Sequence, residues 1–322
     1  MFKVFLNIVL FCLFLVPCRA QVNLIPNPGF EILDSCFGTY STLGFDVFQW
    51  SNCIGWSNPT YASSDLWCKD PVSGIWEPPH IGGDFQYPKE GNAMAGIFVN
   101  FIAYPNYREY IQSELTSSLK EGYFYRFGIF INSSGTTNYT SCFGAYFSNT
   151  ALNQPGLESS LPLIPQIENE DSNFITDTLG WQLFEGVFKA TGGEKFVTIG
   201  CFDDSSKIIL TNPPDSGGIY FFLDEISVNE LDAFLQVPNV FSPNGDGIND
   251  EFFPEIVNIQ NWHCNVFNRW GQLMVILDEN NKTWNGKNTR NALCSEGVYY
   301  YVFTGYIERK EEKQRGFIQL VR

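Results

Sequence analysis

The feature that most constrains this chain is a period of two. Between Tyr123 and Ile131, the residues Tyr123, Tyr125, Phe127, Ile129 and Ile131 fall on one side of an extended backbone. Phe124, Arg126 and Phe130 fall on the other, as a strand with one buried face requires. Similar apolar runs recur at 93–101, 107–115, 142–148, 181–189, 195–202 and 217–228, with turn residues between them at hairpin-like intervals. An aromatic content of 16%, with 28 Gly and 17 Pro, favours short strands and turns over helices. The expected class is all-β. The 322 residues suffice for one domain larger than average and one small one.

At the start, Lys3 precedes an apolar run over 4–16. Cys18, Arg19 and Ala20 follow, with small residues at the two positions a signal peptidase inspects. With a cleavage site behind it, that run is too short to span a bilayer, so residues 1–20 are expected to be a removed signal peptide and Gln21 the mature N-terminus. A lipoprotein anchored through Cys18 is the competing reading, but Pro17 stands where such signals carry Gly, Ala or Ser. No second long apolar run follows, so the mature chain is expected not to span a membrane. Lys+Arg 19 against Asp+Glu 35 gives a net charge of -16, which repels phosphate backbones and argues against a nucleic-acid partner.

Beyond the leader the cysteines are Cys36, Cys53, Cys68, Cys142, Cys201, Cys264 and Cys294, with no CxxC pair and only 2 His in the chain. A zinc site is therefore disfavoured, and export favours oxidation of some of them. Cys264 and Cys294 stand alone beyond residue 235 and are the expected bridge. The odd total leaves at least one thiol over.

One run divides the chain: VPNVFSPNGDGINDEFF at 237–253. Pro238, Pro243, Gly245 and Gly247, interleaved with Asn244, Asp246, Asn249 and Asp250, make consecutive turns between two apolar pairs, giving strand, rigid acidic loop, strand. Asn244, Asp246 and Asp250 crowd oxygen atoms as a calcium loop does. Ile248 and Asn249, however, occupy positions where an EF-hand needs a side-chain oxygen and a Gly, so a turn held by Asx hydrogen bonds is expected. Together with NRWGQ at 268–272, WNGK at 284–287, GVYYYVF at 297–303 and the terminal GFIQLVR, this loop resembles the gliding-motility-associated C-terminal domain, the type B sorting domain of the type IX secretion system. The resemblance covers 236–322. It implies a small immunoglobulin-like β-sandwich read by the type IX machinery, and delivery through the periplasm to the cell surface or the medium. The activity would then reside in a passenger at 21–235.

In that passenger, NPGFE at 27–31, EGNAMAGI at 90–97 and YFFLDEISV at 220–228 resemble the galactose-binding-like jelly rolls that include many carbohydrate-binding modules. NYREYIQ at 106–112, GAYFS at 144–148 and the GW to IGCF run at 180–202 are similar to passengers whose own function is poorly defined. The segments 34–91 and 149–179 are long for such modules and are expected to be loops or insertions. The jelly-roll resemblance implies a structural calcium ion shared by Glu31 and Asp224, a hard cation between carboxylates at the two chain ends. The competing reading has both carboxylates accepting backbone hydrogen bonds.

Trp50, Trp56, Trp67 and Trp76, with Tyr61, Tyr87, Tyr104, Tyr107 and Arg108, are the candidates for a glycan-stacking platform. Aromatic plugging of large loops is the alternative for each. Arg108 and Glu109, charged within a strand pattern, suggest an ion pair or a ligand contact. Asp177-Thr178-Leu179 fits a short O-glycosylation acceptor pattern. His80 and His263 have no motif around them, and HExxH, GxSxG and P-loop patterns are absent. A pair of carboxylates that meet only in the fold stays open. The leading expectation is a non-catalytic module that binds glycan or cell-envelope polysaccharide. The alternative is a structural or adhesive surface protein with a protein partner, and a polysaccharide hydrolase stands third.

Overall fold

The computed structural model describes residues 21–322 except 35, 37–48, 70–77, 79, 82–83, 102–105, 135–138, 155–159, 212–217 and 308. Trp76, Tyr104 and the expected leader lie outside the described residues.

The chain is all-β. Its first strands are β1 (Trp56–Ser57), β2 (Asp65–Cys68), β3 (His80–Ile81), β4 (Asp84–Phe85), β5 (Ala93–Phe101) and β6 (Tyr110–Glu114). They are followed by β7 (Phe124–Ser133), β8 (Gly144–Ser148), β9 (Ile167–Glu168), β10 (Gln182–Lys189), β11 (Phe196–Gly200) and β12 (Gly218–Glu230). Two five-stranded sheets result, in the orders β1-β6-β11-β8-β9 and β10-β7-β12-β5-β2. Their inner faces interdigitate as in a jelly roll. Tyr125, Phe127, Ile129 and Ile131 of β7 and Phe221, Leu223 and Val228 of β12 meet Ile111, Ala145, Phe147, Val197 and Ile199 of the facing sheet. The alternation along Tyr123–Ile131 thus has its predicted consequence, since its odd-numbered members are all buried.

The early insertion is tied down piecemeal. A 3-10 turn at Gln49–Asn52 leads into β1, which pairs with β6, while β2 pairs with β5. A disulfide joins Cys36 to Cys68, with Cα atoms 5.9 Å apart, and a second joins Cys142 to Cys201 at 5.3 Å.

The C-terminal part comprises β13 (Phe234–Gln236), β14 (Val240–Phe241), β15 (Glu255–Val257), β16 (Gln260–Phe267), β17 (Leu273–Asp278), β18 (Gly297–Ile307) and β19 (Lys310–Leu320). Its five-stranded sheet runs β14-β19-β18-β16-β17, with β14 parallel to β19, and β13 pairs with β15. A second core fills it. Phe241, Trp262, Cys264, Val266, Leu277, Tyr301, Phe303 and Ile318 from the sheet pack beneath Phe252 and Trp284. Phe252 and Trp284 exchange backbone hydrogen bonds of 2.9 and 2.8 Å, which sets the second layer over the first.

The expected Cys264–Cys294 bridge does not form. Cys264 points inward from β16 opposite Leu277 and Phe303, whereas the Cys294 thiol lies 3.9 Å from the Met274 sulfur. Both thiols are buried and free, as is Cys53. Burial pushes the Cys53 and Cys264 thiols up to about 12, so neither supplies a thiolate at neutral pH.

Candidate functional site

The structure removes Trp50, Trp56 and Arg108 from the aromatic platform. Trp50 and Trp56 are only 3% and 5% exposed. The segment around them contributes only the short strands β1 and β2 to the two large sheets, and their indoles pack against Phe30, with ring centroids 5.8 and 4.9 Å away. Their N–H groups are consumed internally: Trp50 Nε1 donates to the Ser64 carbonyl at 2.9 Å and Trp56 Nε1 to the Asn27 carbonyl at 2.7 Å. Arg108 is likewise fully buried and cannot contact a ligand. Its Nη1 donates to the Tyr107 carbonyl at 2.7 Å and its Nη2 to the Asp203 carbonyl at 3.3 Å. Glu109 turns elsewhere, its Oε2 accepting the Phe98 amide at 2.7 Å and its Oε1 the Tyr107 hydroxyl at 2.8 Å. The two adjacent charges therefore serve different partners and not each other.

A different aromatic surface is present on the outer face of the second sheet. Met94 of β5 and Tyr220 and Phe222 of β12 form a cluster, against which partly buried Trp67, Phe98 and Trp181 pack. Trp67 Nε1 donates to the Tyr220 hydroxyl at 2.8 Å, and that hydroxyl donates to Asp65 Oδ2 at 2.7 Å. The Phe98 and Tyr220 rings meet edge to face, with centroids 4.8 Å apart. At Gly96 below them, a Cβ would collide with the Tyr220 hydroxyl and the Trp67 indole nitrogen, so only glycine permits the approach. Trp181 Nε1 reaches the carbonyl of exposed Tyr87 at 3.2 Å. Burial pushes the Asp65 carboxyl well above the ordinary carboxylate range. Burial also raises Glu109, with the Asp65 charge adding to the effect. Phe98, Trp181 and Tyr220 were not legible as site residues, because their runs were read only as strands. The available signal was aromatic residues at positions of β5 and β12 that should have faced solvent.

The outer face of the first sheet is closed. The Tyr110 hydroxyl donates to the Cys201 carbonyl at 2.6 Å and accepts the Leu161 amide at 2.9 Å. Gln112 exchanges hydrogen bonds of 2.8 and 3.3 Å with the Leu152 backbone. The expected insertion after β8 thus lies across the sheet as a cover.

Glu31 and Asp224 reach one loop. Glu31 Oε1 accepts the amides of Asn92 and Ala93 at 2.7 and 2.8 Å, and Asp224 Oδ2 those of Lys89 and Glu90 at 2.7 and 3.2 Å. Asp224 sits at a register shift of β12, where Glu225 takes a left-handed φ of 50°. Burial pushes Asp224 up to about 7, despite its amide donors. Glu225 is raised by burial and then by the charge of Glu90, with Glu31 adding to it. The place is thus rich in hard oxygen atoms. Among the described residues, no group of three or more Asp, Glu, His or Cys side chains surrounds a common point.

The acidic loop of the C-terminal part is a ladder of local bonds. Asp250 accepts the Gly245 and Gly247 amides at 2.6 and 2.8 Å, Asp246 accepts Ile248 N at 2.7 Å, and Asn244 accepts Asp246 N at 3.0 Å. Those amides hold the Asp250 carboxyl below its usual value. On the outer face of the neighbouring sheet, Leu273, Ile276, Tyr300 and Phe317 are exposed, and Trp270 stands in the turn before β17. Leu179 of the acceptor tripeptide is exposed, on a bend whose Leu179 and Gly180 amides donate to Asp177 at 3.0 and 2.7 Å. His263 lies on the exposed side of β16, and an open recess lined by Glu168, Glu170, Asp171, Asp203 and Lys207 is predominantly acidic.

No curated protein sequence matches the chain. Among solved structures, it is similar to the CBM22-1 and GH10 modules of endo-1,4-β-D-xylanase 10B from Clostridium thermocellum, with 12% identity, 69% of this chain, 33% of that chain and a TM-score of 0.34. It is also similar to the CBM22-1 xylan-binding domain of Paenibacillus barcinonensis Xyn10C, with 11% identity, 56% of this chain, 88% of that one and a TM-score of 0.32. A third similarity is to the K3 cleaved adhesin domain of Lys-gingipain from Porphyromonas gingivalis, at 13% identity, 52% and 89% coverage and a TM-score of 0.27. This chain spans about a third of the xylanase structure, and at such scores none of the three places a ligand on it. Among the described residues no helix is long and apolar enough to cross a membrane. Residues 235–320 match the CHU_C Type IX secretion signal domain, so the chain carries that domain in its C-terminal part, and the signal implies an exported protein.

Proposed function

We propose that this is a non-catalytic protein of the cell surface or medium. Residues 236–322 act as its export address, and a passenger at 21–235 binds glycan or cell-envelope polysaccharide on the outer face of the β10-β7-β12-β5-β2 sheet. The observation that carries the reading is the partly buried set Trp67, Phe98 and Trp181, gathered over Tyr220 and Phe222 and bordered by Asp65. Aromatic faces of this kind stack on the C–H face of a sugar ring, while neighbouring carboxylates and amides orient its hydroxyls. The test is a glycan array with insoluble-polysaccharide pulldown using the mature chain. Trp67→Ala and Trp181→Ala should each weaken capture about tenfold while the melting profile stays two-domain. Capture unaffected by both changes would reject this face. Capture of a surface protein with no response to glycan would favour the adhesive alternative.

A structural calcium ion is part of the same proposal. Glu31 and Asp224 would hold it, with backbone carbonyls of the 89–93 loop, and its role would be to close the sandwich where both chain ends meet. Support comes from the shared loop, on which Glu31 and Asp224 converge through the amides of 89–93. At a hundredfold excess over its dissociation constant the ion would add about 2.7 kcal/mol. Chelator should lower the melting temperature of the wild type but not of Glu31→Gln/Asp224→Asn. An indifferent wild type would leave both carboxylates as amide acceptors only.

A further inference from the structure

β12 leaves the passenger at Glu230, and the turn between β15 and β16 returns to the same place. Asn258 occupies that turn with a left-handed φ of 52°, a conformation Asn tolerates better than most residues, and it is only 5% exposed. Its Oδ1 accepts the Phe124 amide at 2.6 Å, and its Nδ2 donates to the Phe124 carbonyl at 3.4 Å and to the Leu231 carbonyl. Leu231 N itself donates to the Phe124 carbonyl at 3.0 Å. Nearby, Gln260 Nε2 donates to the Glu121 carbonyl at 3.3 Å.

A side-chain amide carries a donor and an acceptor in one plane, as a peptide group does. The β12 to β7 ladder ends at the pair Glu230 and Tyr125, so Asn258 supplies a further rung from outside the passenger. Buried amides of this kind are placed where all their partners are met, and the Asn258 side chain finds its partners at 124 and 231, on the passenger side.

We propose that Asn258 is an interdomain clasp. It locks the C-terminal domain onto the 121–124 turn of the passenger, so that the two tumble as one body and the export signal is held in a fixed orientation once that turn has folded. The 255–260 end of the signal domain is then occupied by its own passenger, and the secretion machinery must engage it elsewhere.

The test uses the full mature chain and Asn258→Gly, which keeps the left-handed turn and removes only the amide. Hydrogen exchange at the Phe124 amide should accelerate about tenfold or more. X-ray scattering should broaden towards independent domains, while amides of the β18–β19 ladder keep their protection and report that the domain remains folded. Asn258→Asp, which faces a charge towards two carbonyls, should loosen the joint at least as much. Wild-type exchange at Phe124 in the Gly variant, or an Asp variant with unaltered scattering, would overturn the clasp. Independent domain motion in the wild type would do the same.

Discussion

The passenger and the signal domain close their cores by different means. In the passenger, the chain between Gln49 and Cys68 adds only the short strands β1 and β2 to the sheet margins, and the Cys36–Cys68 disulfide completes what so few ladder bonds cannot. In the signal domain, β18 and β19 are 11 residues each and pair without interruption from Gly297 with Leu320 to Ile307 with Lys310. Two thiols stay free beneath that ladder. Cys36–Cys68 thus ties down a sparsely paired segment, whereas Cys142–Cys201 staples the end of the β8–β11 ladder, and among the described residues of the signal domain the long β18–β19 ladder stands without a covalent link.

The largest expected break in this comparison is reduction. The Cys142–Cys201 loop spans a sequence separation of 59, and its opening should cost about 4 kcal/mol in the chain-entropy account, with a similar term for Cys36–Cys68. Reductant should therefore depress the passenger transition in a thermal melt and leave the signal-domain transition in place. Movement of the second transition would contradict the free state of Cys264 and Cys294.

Within the signal domain, Trp284 is fully buried and its Nε1 donates to the Lys287 carbonyl at 2.7 Å. Trp284→Ala should cost about 3–5 kcal/mol in denaturant unfolding. Trp270, 76% exposed, should cost less than about 0.5 kcal/mol when changed to Ala. Equal costs would mean that the second layer over the sheet is wrongly placed.

Acidity separates the two domains as well, because the raised passenger carboxyls act over pH 4 to 7 while the lowered Asp250 acts below that window. Asp224 is raised to about 7, and Asp65 and Glu109 are raised in the same direction. Their contribution to stability is complete below the unfolded carboxylate range near pH 4, and is lost as pH rises towards 7 and beyond. The slope is at most about 1.4 kcal/mol per pH unit for each group. Asp250 is held low, so its share is present above about pH 4 and lost on acidification. The passenger melt should therefore fall from pH 4 to 7 in chelator while the signal domain holds steady. Asp224→Asn should flatten part of that fall, and calcium should flatten it in the wild type if the ion binds.

Much of this fold could be read in advance. The apolar runs at 93–101, 123–132 and 217–228 coincide closely with β5, β7 and β12: alternation marks the inward-facing residues of β7, while β5 and β12 read as continuous apolar runs because both of their faces are covered. The Asx-turn reading of 244–250 rested on local chemistry alone, since each of its bonds joins residues five or fewer apart. What was not legible depended on distant partners. Whether Trp50 stacks on a ligand or on Phe30 depends on how 49–68 lies across the sandwich. Which cysteines pair depends on Cα separations that spacing does not encode. The Trp67, Phe98 and Trp181 face is assembled from β2, β5 and the entry to β10, and Asn258 reads as an ordinary turn residue until its passenger partners are in view.

The central claim is that residues 236–322 direct the export of whatever precedes them. Its most direct measurement is the location of the passenger, by surface protease accessibility and by fractionation, in native cells producing either the full chain or the chain ending at residue 235. The account predicts surface or medium delivery for the first and periplasmic retention of a folded passenger for the second. Equal surface delivery of both would contradict it.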